Sequence, residues 1–179
     1  MSGGARGDRA RPLVIAVGNR FRSDDAVAAV VLDVLAADAA VTGQVDLVEL
    51  DGEATRLVDA WEQRERVVVL DAVVDPQRSP GELVVLIGAE VSDPDCVARR
   101  GSVVSGHSAG LAEALRLAAV MERLPVELSV VGVVAGSFEH GTELSPPVAA
   151  AVPAARAAVV ELLGLSQVGR EGGSDRVPV

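Results

Sequence analysis

The stretch Val14–Val30, VIAVGNRFRSDDAVAAV, reads as a short strand, a Gly-Asn turn and the opening of a helix. Leu13 to Val17 carries no polar residue, the pattern of a strand buried on both faces. Gly18-Asn19 breaks that run. Val27, Val30, Val31, Val34 and Leu35 then recur at helical spacing, and Ser23 or Asp24 is placed to cap the helix. Strand, turn and helix make the first half of a βα unit, and the rest of the chain repeats the alternation. Further strands are expected at 45–50, 66–70, 82–87 and 127–134, with helices at about 54–63 and 108–123. A terminal helix should run to about Leu163, with Ser145 as cap, Pro146 in first position and Pro153 marking a kink or a late start. Pro76, Pro80 and Gly81 leave no helix between the third and fourth strands, so the fourth is expected to be antiparallel or at an edge. The expected fold is α/β, with three layers: a twisted, mostly parallel five-stranded sheet and helices on both faces.

Composition agrees with one domain. The 179 residues are 49% hydrophobic but only 2% aromatic, so the core must be built from Val, Leu, Ile and Ala. Residues 1–11 read as a flexible arm, 12–163 as a single α/β domain and 164–179 as a flexible tail. A net charge of -10 without a Lys/Arg cluster argues against a phosphate-tracking surface, so no nucleic-acid partner is expected. Cys96 is the single cysteine, which excludes an intrachain disulfide and every CxxC metal motif. No secretory leader and no membrane-spanning run is apparent, and the expected setting is cytoplasmic, without membrane insertion. A monomer is expected.

Three chemically capable side chains fall near the ends of separate sheet elements: Asp25, Asp71 and His107. Strand ends and helix starts on one edge of an open α/β sheet form its working rim. Two carboxylates and an imidazole there suit a divalent metal preferring oxygen and nitrogen, with coordination positions left open. Taken alone, Asp25 is explained as an acid favoured by the positive end of a helix, and Asp24 as a better cap. Asp71 ends the run RVVVLD (66–71), where a bare charge is costly to bury; the plain alternative is an acceptor for loop N–H groups. His107 lies in SGHSAG, among small residues that let another molecule approach, although a lone histidine can simply pack at a helix start. His140 reads as an exposed loop residue. Asn19 can either orient a substrate carbonyl or hold its own turn. GNRFRSDD has neither GxGxxG nor GxxxxGK[ST], and no GxSxG occurs, which disfavours dinucleotide, phosphate-loop and serine-hydrolase readings. The residues lead as far as a metal-assisted hydrolase and do not identify the bond cleaved.

GNRFRSDDAV (18–27), LDG (50–52), VVLDAVV (68–74), SGHSAGL (105–111) and VGVVAGSFEHGTELSP (131–146) occur in an order and spacing that resemble the hydrogenase maturation protease family. The resemblance covers the chain from Leu13 to about Leu163. It implies an endopeptidase that removes the C-terminal extension of a nickel-loaded [NiFe]-hydrogenase large-subunit precursor. The resemblance also implies that Asp25, Asp71 and His107 contact the nickel, which belongs to the precursor and is absent from the resting protein. Ala26 and Ala28 stand where the family has glycines, and Glu53 replaces a small residue after Asp51-Gly52, a departure that bears on precursor specificity. Two other readings compete: a nickel-sensing metallochaperone or precursor-binding factor that does not cleave, and a metal-dependent hydrolase with another substrate.

Overall fold

The computed structural model describes residues 11–93 and 106–165, apart from the side chains of Ser92 and residues 106–109. Along the chain run β1 (Leu13–Val17), a 3-10 turn (Ser23–Ala26), α1 (Val27–Ala36), α2 (Ala39–Thr42), β2 (Asp46–Leu50), α3 (Ala54–Trp61) and β3 (Arg66–Val73). They are followed by β4 (Leu83–Ile87), α4 (Ala89–Ser92), α5 (Gly106–Val120), β5 (Glu127–Val134) and α6 (Pro146–Leu162). The five strands form one sheet in the order β2-β1-β3-β5-β4, all parallel except β4, which pairs antiparallel with β5 at one edge. This is the three-layer α/β fold expected. The antiparallel edge follows from the short connection after β3, which has no room for a crossover helix.

Alternation along the strands divides the core in two. Ile15, Val17, Val67, Val69, Val73, Val84, Leu86, Val130 and Val134 face α3 and α5, where Leu57, Trp61, Leu111 and Leu115 cover them. Val14, Ala16, Val68, Leu70, Ala72, Val131 and Val133 face α1 and α6, against Val27, Val31, Leu35, Val148, Ala155 and Val159. The β-branched runs are thus buried on both sides, as their lack of polar alternation demands. Arg11 is held at the edge of this core: its guanidinium donates to the Thr42 and Val45 carbonyls and pairs with Asp46.

Several local expectations are corrected. The third strand does not stop at Asp71 but continues to Val73, because pairing with β5 extends to Val73–Val134. Neither Ser23 nor Asp24 caps the helix that follows; no side chain caps the 3-10 turn or α1. Ser145 makes no capping hydrogen bond either, although Pro146 does open α6, which runs unbroken through Pro153. Cys96 and Ser105 lie outside the described residues.

One contact sets where α5 begins. A Cβ built on Gly110 would stand 1.9 Å from the Gly52 carbonyl oxygen, so the first turns of α5 press directly on the turn that follows β2. Gly110→Ala must push these two backbones apart. It is expected to destabilise the fold by roughly 1–3 kcal/mol, the usual cost of overpacking. A lowered urea midpoint is the readout, and an unaltered midpoint would contradict so close an approach.

Candidate active site

The strand order reverses beside β1: the chain leaves β1 for β2 on one side and returns to β3 on the other. Open α/β sheets place their ligand crevice at such a switch point, outside the carboxyl ends of the strands. Four segments meet there: the loop after β1, the Asp51-Gly52 turn, the end of β3 and the loop after β5. The start of α5 joins them through Gly110.

Gly18 begins the first segment. Its φ of +150° and a Cβ position only 2.2 Å from the Asp25 carbonyl oxygen admit no side chain. The chain therefore folds back tightly, and the 3-10 turn is stacked on the end of β1. Asn19 holds the turn: its Oδ1 accepts from the Phe21 N–H at 2.9 Å. Of the two roles open to it, the structural one is observed.

Asp24 and Asp25 are both fully buried, yet they do different work. Asp24 reaches across to the loop after β5. Its Oδ2 accepts from the backbone N–H groups of Gly136 at 2.8 Å and Ser137 at 3.0 Å and from the Ser145 hydroxyl at 2.9 Å. Its Oδ1 accepts from the Ser145 N–H at 2.6 Å. Four donors compensate the burial of this charge. Sequence reading missed this latch because its partners lie 112–121 positions away, beyond the reach of any local capping rule.

Asp71 is the third buried acid among the described residues, 2% exposed. It lies on β3 between Val69 and Val73, residues of the face covered by α3 and α5. Its partner in the ladder is Gly132, which has no side chain to crowd it. Among the described residues its Oδ1 has no hydrogen-bond donor. Burial pushes its pKa well above the usual carboxylate value, the nearby Asp25 carboxylate pushes in the same direction, and an N–H from Ala72 opposes them. Desolvation and like charge both disfavour two free carboxylates, and a cation shared between them relieves both. The oxygen donor set therefore fits a divalent metal.

The structure brings Asp25 and Asp71 together. His107 falls in the first turn of α5, beside the crevice, but its side chain lies outside the described residues. Among the described residues no group of three or more His, Cys, Asp and Glu side chains is arranged to hold a metal ion. His140 is exposed in the loop after β5, as expected. Glu53, the departure noted above, turns back to cap α3, accepting from the N–H groups of Thr55 and Arg56. Its carboxylate is occupied with its own helix.

A doubly wound sheet with a buried acid pair at its switch point, and with neither a phosphate loop nor a nucleophile elbow, defines an open-sheet α/β domain of the kind that takes its ligand at the carboxyl ends of its strands. The family described as hydrogenase maturation protease matches residues 30–162, a span that contains Asp71 and His107 and begins just after Asp25. The chain belongs to the hydrogenase maturation protease family, and it is an endopeptidase acting in hydrogenase maturation. The Hydrogenase 2 maturation protease of Escherichia coli K12 is 27% identical over 168 residues, which cover 94% of this chain and 96% of that protein. The solved structure of the hydrogenase maturating endopeptidase HybD from E. coli superposes with a TM-score of 0.74 at 26% identity, covering 87% of this chain and 93% of that one. The [NiFe] hydrogenase maturation protease HybD from Thermococcus kodakarensis gives a TM-score of 0.69 at 30% identity, with 86% and 99% covered.

Two substitutions test the division of labour between the acids. In the unfolded chain Asp71 ionises near 3.8, while in the fold it keeps its proton to a higher pH. The folded state thus binds more protons between those two values, and stability falls as pH rises through that window. Asp71→Asn removes the penalty. In the presence of a chelator it should melt above the native protein at pH 7, with the gain vanishing below about pH 4; equal melting at both pH values would contradict the assignment. Asp24→Ala should instead destabilise by roughly 3–5 kcal/mol, as expected for stranding donors around a lost buried charge. Hydrogen exchange at Gly136, Ser137 and Ser145 should accelerate with it.

Proposed function

We propose that the chain cleaves the C-terminal extension from a nickel-loaded [NiFe]-hydrogenase large-subunit precursor, and that Asp25, Asp71 and His107 engage the precursor's nickel. The observation that carries this reading is the buried Asp25–Asp71 pair, two like charges drawn out of water at the switch point. Membership of the family supplies the kind of substrate, and the acid pair supplies the reason for a cation. On this reading the nickel arrives with the substrate and marks it as ready for cutting. A divalent ion bound at such a site polarises a peptide carbonyl and lowers the pKa of bound water.

The protein's own residues supply position. Asp25 is fixed by the close contact of its carbonyl with Gly18, and Asp71 by its pairing with Gly132 of β5, one residue past the last β1–β3 pair at Leu70. His107 belongs to the first turn of α5, the helix whose Gly110 presses on Gly52. Fixed ligands keep the scissile peptide in register with the metal, which is where much of the rate gain of such a site arises. Hydrolysis adds water across the C–N bond, leaving a carboxylate on the mature subunit and an amine on the released fragment. Among the described residues no helix is long and apolar enough to cross a membrane. A monomer acting in the cytoplasm is part of the same proposal.

The test follows the released fragment by mass after mixing the protein with nickel-loaded precursor, with nickel-free precursor as control. The native protein should release the fragment only from the loaded form. Asp71→Ala and His107→Ala should each reduce the rate by about 100-fold or more. Tight binding without any fragment would favour a non-cleaving carrier, and equal cleavage of the nickel-free precursor would remove nickel from the reading.

A further inference from the structure

Phe21 is 71% exposed, and it is one of two phenylalanines in a chain without tyrosine. Exposure alone carries little, since single apolar side chains are common at surfaces. Val120 and Val126 are more exposed still, at 85% and 84%, but they stand at the far end of the sheet, at the end of α5 and just before β5. Phe21 differs in place and in support. It precedes Asp25 by four residues, a separation that chain geometry limits to about 14 Å.

Its support is unusually complete for an exposed loop. The Phe21 N–H donates to Asn19 Oδ1 at 2.9 Å, and its carbonyl accepts from the Gly141 N–H at 3.0 Å. Ser23 N–H donates to the Gly141 carbonyl at 2.8 Å, and Arg22 pairs with Gly141 in a parallel bridge. Next to it, Arg20 is clamped by Asp33 and Glu49, with contacts of 2.7–2.9 Å. The backbone is pinned on both sides while the ring is left in water. Glu139, His140 and Thr142 lie exposed on the loop whose Gly141 bridges to Arg22, beside Phe21. A rigid aromatic within a polar rim is the usual form of a binding anchor, because ordering it on contact costs little entropy.

We infer that Phe21 is a substrate-docking residue of the endopeptidase, receiving an apolar side chain of the precursor within about four residues of the nickel anchor. The inference rests on the proposed function, which puts the precursor's nickel at Asp25. It adds a second point of attachment on the loop after β1, made through apolar contact and independent of the metal. Recognition then has two components: the metal reports that the precursor is loaded, and the ring reads its sequence nearby.

The experiment measures cleavage kinetics of nickel-loaded precursor with the native protein, Phe21→Ala, Phe21→Leu and, as a distant control, Val126→Ala. Phe21→Ala should raise KM about tenfold or more while kcat stays within about threefold. Phe21→Leu should recover most of the loss, and Val126→Ala should behave as native. All four proteins should melt together, since neither side chain is in the core. Apolar residues of the precursor around the cleavage position are also replaced singly by alanine, and one of them should lose its effect in the Phe21→Ala background. An unchanged KM, a loss confined to kcat, or additivity at every precursor position overturns the inference while leaving the proposed function intact. Absence of any fragment from the native protein overturns the proposed function and this inference with it.

Discussion

Two carboxylates, Asp25 and Asp71, are held out of water near one another at the switch point of the sheet. Folding alone does not favour such a pair: each charge loses its hydration and each raises the cost of ionising the other. The surrounding structure has to hold Asp25 and Asp71 in place against that penalty, and much of the rim does so. Gly18 brings the 3-10 turn onto β1, while β3 is locked between β1 and β5. In general, a partner that neutralises a buried acid pair recovers the stability withheld there.

Asp24 and Asp71 show how differently two buried acids can be provided for. Asp24 has four hydrogen-bond donors and joins segments far apart in the chain. Asp71 has an oxygen with no donor among the described residues. Both are buried, so burial does not separate them; the supply of donors does. By the same criterion Glu53 is a structural acid like Asp24, since its carboxylate caps its own helix.

Much of this was legible in the sequence. β1 and β5 have the bounds expected of them: β1 because a strand buried on both faces leaves an uninterrupted apolar run, and β5 although Glu127 and Ser129 interrupt its first half, which is only partly buried. The antiparallel edge was legible from the missing helix before β4. Asp71 was picked out as an acid adjoining an apolar run, but its strand was ended too early: a charge normally marks a boundary, and nothing local shows that pairing with β5 carries on to Val73. The role of Asp24 was not legible at all. A Ser-Asp-Asp run before a helix reads as a cap, and the loop that claims Asp24 is more than a hundred residues away. The close glycine contacts were hidden for the same reason: Gly110 and Gly52 look ordinary until the fold sets one backbone against the other.

The grip of Asp24 on Gly136, Ser137 and Ser145 has a mechanical corollary. The strip carrying Phe21 and Asp25 and the strip carrying His140 are tied together by one carboxylate and by the backbone bonds of Phe21 and Ser23 with Gly141. Gly52 and α5 are joined by their own backbone contact. A substitution that loosens either member of a pair therefore reaches its distant partner in the chain as directly as its neighbours in sequence.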